Sequence, residues 1–240
     1  MLTHRQGPGR KLNYSIYIFK LQALLKLMTN FIPIFPLNVV LYPGEILNLH
    51  IFEPRYKELV KECFAVKKPF GIPAVINGNV AEYGTLVFIT EIAKEYDNGE
   101  MDIVTSGTRV FRILEIIKKI PEKLYSGAIV NYPENTEIYQ KKDLILVVIK
   151  AVRELHRMLN ITKDFRKPDE ELNAYDLAHH AGLSQEEEYE LLALFREEQR
   201  QEYLKRHLGK VLPVIAEMEI LKERVKLNGH FKNLSSFRFE

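Results

Sequence analysis

The chain is expected to be an α+β protein, with a small β-barrel in front and a helical subdomain behind. Three observations lead there. Apolar residues alternate with a period of two as far as about Tyr132 and then take up a helical period. Turn dipeptides such as Asn77-Gly78 punctuate the front half. In the front half, proline and glycine sit between the apolar runs.

In chain order, Leu47, Leu49 and Ile51 alternate with Ile46, Asn48 and His50, which marks a strand. Pro54 suits the first turn of a helix, on which Tyr56, Leu59, Val60, Cys63 and Phe64 form one apolar stripe before Pro69. Strands follow over Phe70 to Ile76, Gly84 to Glu95 and Met101 to Thr105, the last pair joined by Asp97-Asn98-Gly99. The run from Gly107 to Ile113 continues as strand after a bulge or bend at Gly107, and a last strand spans about Leu124 to Asn131. Six or seven short strands joined mostly by hairpins, with one helix, suggest a closed or nearly closed barrel.

Beyond Pro133, Leu144, Val147, Val148, Ala151, Leu155, Met158 and Leu159 fall on one helical face. A second helix is expected from about Pro168 to Gly182. A third is opened by a capping box of Ser184 and Glu187. A fourth carries Leu204, Leu208, Val211, Leu212, Ile215, Met218 and Val225, with a kink near Gly209 and Pro213 and an end before Asn228-Gly229. The expected division is residues 1–30 as an extension, 31–133 as barrel, 134–228 as helical subdomain and 229–240 as a tail.

Composition narrows the functional classes. The 240 residues are 46% hydrophobic and 28% charged, as in an ordinary globular protein. Of 34 Lys and Arg, five lie in residues 1–27, which contain no acid; the remaining 29 face 32 acidic residues, a net of −3. A body of that sign offers no general attraction to nucleic acid or anionic membrane. The acid-free start reads either as a targeting segment or as sequence upstream of a true start at Met28, and the second reading is preferred. Leu27 to Gly44 carries no charge, but Pro33, Pro36 and Pro43 exclude a membrane helix. Cys63 is the single cysteine, which rules out an internal disulfide and fits a reducing cytoplasm.

The segment FPLNVVLYPGEILNLHIFEPRY, Phe35 to Tyr56, resembles the opening of the N-terminal substrate-binding domain of the ATP-dependent Lon protease. Gly84-Thr85, Asp97-Asn98-Gly99 and Gly107-Thr108-Arg109-Val110-Phe111 resemble later turns and strands of that family, although Val110 separates Arg109 from Phe111 and so leaves open which face Arg109 takes. The likeness runs from about Phe35 to Lys226 and implies a PUA-like β-barrel followed by helices. It also implies a non-enzymatic module that binds unfolded or tagged polypeptides and is linked to ATP-dependent proteolysis. Phe35, Tyr42, Arg55, Tyr56, Arg109 and Phe111, the aromatic and Arg residues of the resembling motifs, are the expected contacts. The bland alternative gives Glu53 and Arg55 an ion pair and Tyr56 a place in the core.

Other chemistry is weakly supported. No G-x-x-x-x-G-K-[ST] and no G-x-S-x-G occurs, so neither nucleotide nor peptide hydrolysis is expected. The histidines lack metal-motif spacing, and neither metal nor cofactor is expected. The helix pair around Gly182 resembles a DNA reader, but between Ser184 and Gln199 six glutamates face Arg196 alone, and DNA is excluded by charge. RNA binding through the barrel is the alternative, and a regulator of a separate protease or ATPase is the third.

Overall fold

The computed structural model describes residues 30–136 and 143–232, so the expected extension and most of the expected tail lie outside the described residues. The chain divides into two compact units, Met1–Pro133 and Glu134–Glu240.

Among the described residues, the first unit holds six strands and one helix. They are β1 (Asn30–Pro33), β2 (Ile46–Ile51), α1 (Pro54–Ala65), β3 (Phe70–Ile76), β4 (Asn79–Glu95), β5 (Met101–Ile117) and β6 (Gly127–Asn131). The antiparallel order is β1-β6-β5-β4-β3, with β2 also on β5. The segment after β1 closes the ring. Ile34 and Leu37 make parallel bridges to Gly71 and Ala74, and the Phe35 N–H donates to the Gly71 carbonyl at 2.8 Å.

β4 and β5 are 17 residues each, longer than the separate short strands expected. Bulges allow this length. In β5, Leu86 pairs with Arg109 and Val87 with Gly107, so Thr108 is the extra residue beside the expected bend. Gly107 also seats the Pro-Gly turn: its N–H donates to Glu45 and its carbonyl accepts from Gly44. A Cβ there would lie 2.6 Å from the Tyr42 carbonyl oxygen, which no ordinary contact permits. The Asn77-Gly78 hairpin has positive φ at both residues, 50° and 77°, as a two-residue turn of that dipeptide requires.

α1 begins at Pro54 and buries Tyr56, Leu59, Val60 and Cys63 against Ile51, Phe70, Val87, Met101 and Ile103. The expected stripe stops there. Phe64 stays 42% exposed, because at 100° per residue it sits about 80° round from Tyr56, on the flank of the face. A second cluster of Ile32, Ile34, Leu86, Phe111, Ala128 and Val130 fills the other part of the barrel.

The second unit contains α2 (Asp143–Met158), a 3-10 turn (Asp169–Glu171), α3 (Ala174–Ala178), α4 (Gln185–Leu192) and α5 (Glu197–Lys232). The capping box of Ser184 and Glu187 opens α4, and Asn173 with Asp176 makes another for α3. The helix expected over 168–182 is instead a 3-10 turn and a five-residue helix, and α5 runs past Asn228. The buried face of α2 is Ile145, Val148, Ile149, Val152, Leu155 and His156, one residue out of phase with the expected stripe, and Val147 and Leu159 are exposed.

Arg200 organises this unit. Its side chain is fully buried and donates to Asn135 and Tyr175 side chains, to the Leu194 and Thr136 carbonyls, and to Glu197 at 3.0 Å. Burial pushes the Glu197 carboxyl up, against the donors from Gln201, Ala174 and Arg200 that favour its ionised form.

Candidate functional site: a groove beside the free edge of β4

The expected contact residues divide by exposure. Tyr42 and Phe111 are fully buried, and Phe35 and Tyr56 nearly so, at 8% and 7%. Phe35 stacks on Tyr56 with centroids 3.8 Å apart and on Phe70 at 6.4 Å. These four offer almost no surface to a partner in this conformation. Arg55 and Arg109 face solvent. Arg55 pairs with Glu53 at 2.7 Å and lies over the Tyr56 ring at 4.5 Å, the bland arrangement anticipated for that motif. Arg109 lies 3.5 Å over the Tyr132 ring. After the extra residue at Thr108 the ladder is regular from Arg109 to Phe111, so Val110 and Phe111 face opposite sides of the strand, and both are buried.

A site that the sequence did not point to lies between α1 and β4. Cys63, Phe64, Lys67 and Lys68 form one wall and Phe88, Ile89 and Thr90 the other, around a groove of about 430 Å³. Phe64 and Phe88 are 42% and 39% exposed. Burial pushes the Cys63 thiol up to about 11, so it stays protonated and acts as an apolar floor. Among the described residues, neither Lys67 nor Lys68 has an ion-pair partner. β3 pairs with β4 only as far as Phe70 opposite Val87. Beyond it, among the described residues, no strand pairs with Phe88–Glu95 on the side away from β5. α1 runs beside this stretch: Lys57 donates to the Asn98 carbonyl at 3.1 Å and Lys61 meets Glu95 at 3.5 Å.

At the far end of the same hairpin, the His50 ring nitrogens reach Asp102 at 2.7 Å and Glu100 at 3.2 Å, and Tyr96 donates to Asp102 at 2.7 Å. The hydrogen bond to Asp102 raises the imidazole pKa, with Glu100 adding to it. A carboxylate at each nitrogen favours the protonated form of the ring. In the second unit, an opening of about 600 Å³ is lined by Leu144, Tyr203, Arg206 and charges that pair with one another, Arg196 with Glu198 at 2.9 Å. Among the described residues, no group of three metal-ligating side chains converges, and no helix is long and apolar enough to cross a membrane.

A closed barrel followed by a helical unit is the architecture that the resemblance implies, and comparison with known proteins agrees. Residues 32–210 match the family of the ATP-dependent protease La (LON) substrate-binding domain, and the chain belongs to that family. The crystal structure of a Lon N-terminal domain protein from Xanthomonas campestris is 27% identical, with a TM-score of 0.54 over 73% of this chain and 96% of that one. The N-terminal domain of a Mycobacterium avium complex Lon protease shares the fold, with a TM-score of 0.55 at 14% identity, covering 76% of this chain and 100% of that one.

Proposed function

We propose that the protein is a non-enzymatic polypeptide-binding module that recognises unfolded or tagged chains for ATP-dependent proteolysis. Membership of the substrate-binding family carries this reading. The surface supports it. Phe52, Phe64, Val66, Phe88 and Leu124 of the first unit stand between 39% and 65% exposed, where a partner could cover them. Arg55 and Arg109 are the expected contacts able to reach a partner; Phe35, Tyr42, Tyr56 and Phe111 act by holding the frame that presents them. Arg55 and Arg112 on the barrel surface are engaged by Glu53 and Glu82, which weakens their attraction for nucleic-acid phosphates. A buried free thiol suits a reducing cytoplasm.

An array of overlapping peptides from unrelated proteins tests the proposal. Binding is expected to cluster on apolar segments that are buried in the parent folds and to persist at moderate salt. Uniform absence of binding at low and moderate salt overturns it.

A further inference from the structure

We propose that the groove between α1 and β4 captures an extended polypeptide by strand addition. The segment continues the ladder where β3 leaves it, places an apolar side chain between Phe64 and Phe88, and sets acidic residues beside Lys67 and Lys68. This rests on the polypeptide-binding reading above and assigns it a place and a chemistry.

Backbone pairing is the first argument. β3 occupies the outer side of β4 as far as Val87 and then ends, while β4 continues to Glu95. The backbone from Phe88 onward is therefore paired through β5 alone. Such an edge recruits a strand from elsewhere unless something blunts it. The bulges between Ile89 and Glu91 and between Ile92 and Lys94 blunt it in part, so the added ladder is short. A short ladder needs a side-chain anchor. Phe64 and Phe88 provide one, over the floor of Cys63 and Ile89.

Charge supplies the second argument and the direction. Lys67 and Lys68 stand at the Phe88 end of the groove without ion-pair partners, whereas Lys61 is matched to Glu95 toward the other end. Lys67 is held in the left-handed region, φ 51°, by the turn that ends α1, and its N–H donates to the Phe64 carbonyl at 3.2 Å. This fixes where the two ammonium groups leave the chain. β3 lies antiparallel to β4, and a segment continuing its track would finish at the Phe88 end. The preferred occupant is thus an extended segment with an apolar residue followed by acidic residues toward its C-terminal side.

The test uses the full chain and a fluorescein-labelled decapeptide that alternates valine and threonine around a central phenylalanine and ends in two aspartates. Fluorescence anisotropy gives its affinity. Moving the aspartates to the N-terminal side, or replacing Lys67 and Lys68 together by glutamate, is expected to weaken binding about tenfold. Backbone N-methylation scanned along the peptide is expected to abolish binding at alternate residues only, since every second amide of a strand faces its neighbour. Both lysines are surface residues, and unchanged thermal melting of the Lys67→Glu, Lys68→Glu variant shows that the fold is kept. Tight binding that ignores the double substitution, or an N-methyl scan with no period of two, overturns strand addition here and leaves polypeptide binding standing. If neither this peptide nor any array peptide binds, both proposals fall.

Discussion

Phe111 and Arg109 sit two residues apart on β5 and do opposite things. Phe111 is fully buried among Ile32, Ile34, Leu86 and Val130, while Arg109 is exposed and lies over the Tyr132 ring. Truncating a buried phenylalanine removes its transfer free energy and leaves a cavity, a loss of about 3–5 kcal/mol. Removing an exposed cation from an aromatic face costs about 0.5–1 kcal/mol. Urea denaturation of Phe111→Ala and Arg109→Ala is expected to show that contrast. Equal losses would mean that Phe111 does not pack as described. The motif containing both was readable, but their roles were not: the two residues follow one another in regular register, and which of them is covered depends on neighbours such as Ile32, Ile34 and Val130 that only the assembled barrel brings together. Phe88 and Phe64 were hidden for a related reason. Each belongs to an apolar run that reads as core, and exposure follows from a strand edge and a helix flank that only the assembled fold defines.

Element by element, legibility follows how strongly local chemistry selects one conformation. The Asn77-Gly78 turn, the start of α1 at Pro54 and the cap at Ser184 are set by residues within a few positions, and each lies where the sequence places it. The phase of α2 is different. Leu144 to Ile149 are all apolar, so their pattern cannot say which face is inward; Lys150, Arg153, Glu154 and Arg157 mark the outer face and give the observed phase. Between elements, a polar tie fastens the turn before β6 to α1. Glu62 accepts from Lys123 and, at 2.6 Å, from Tyr125, while Glu58 accepts from the Leu124 N–H at 3.0 Å. Lys123 first and Tyr125 second hold the Glu62 carboxyl below its usual range. A carboxyl lowered by folding stabilises the fold above its unfolded pKa, and that contribution is lost as pH falls through the folded value. Glu197 has the reverse sign: its raised carboxyl favours the fold below the unfolded pKa and loses that contribution as pH rises through the folded value. Acidification below the ordinary glutamate range is therefore expected to lower amide protection, measured against the intrinsic exchange rate at each pH, at Lys123 to Ser126 before it affects α3 and the start of α5. Hydrogen exchange between pH 3 and 6 checks this, and simultaneous loss in both regions would refute it.

At the scale of the whole molecule, the chain carries a closed barrel with exposed Phe64 and Phe88, and a helical unit organised around a buried arginine. Its family supplies the recognition part of a proteolytic system, and an exposed strand edge beside an apolar groove is a physical means of recognition that requires an extended partner. A folded protein keeps its own strands paired and its apolar side chains inside, so the proposed strand addition predicts discrimination between folded and unfolded forms. The most direct measurement titrates the protein against one fluorescently labelled globular protein in two states, native and permanently unfolded by reduction and carboxymethylation. Saturable binding of the unfolded form, with none to the native form, is the predicted result. Equal affinity for both, or for neither, would contradict it.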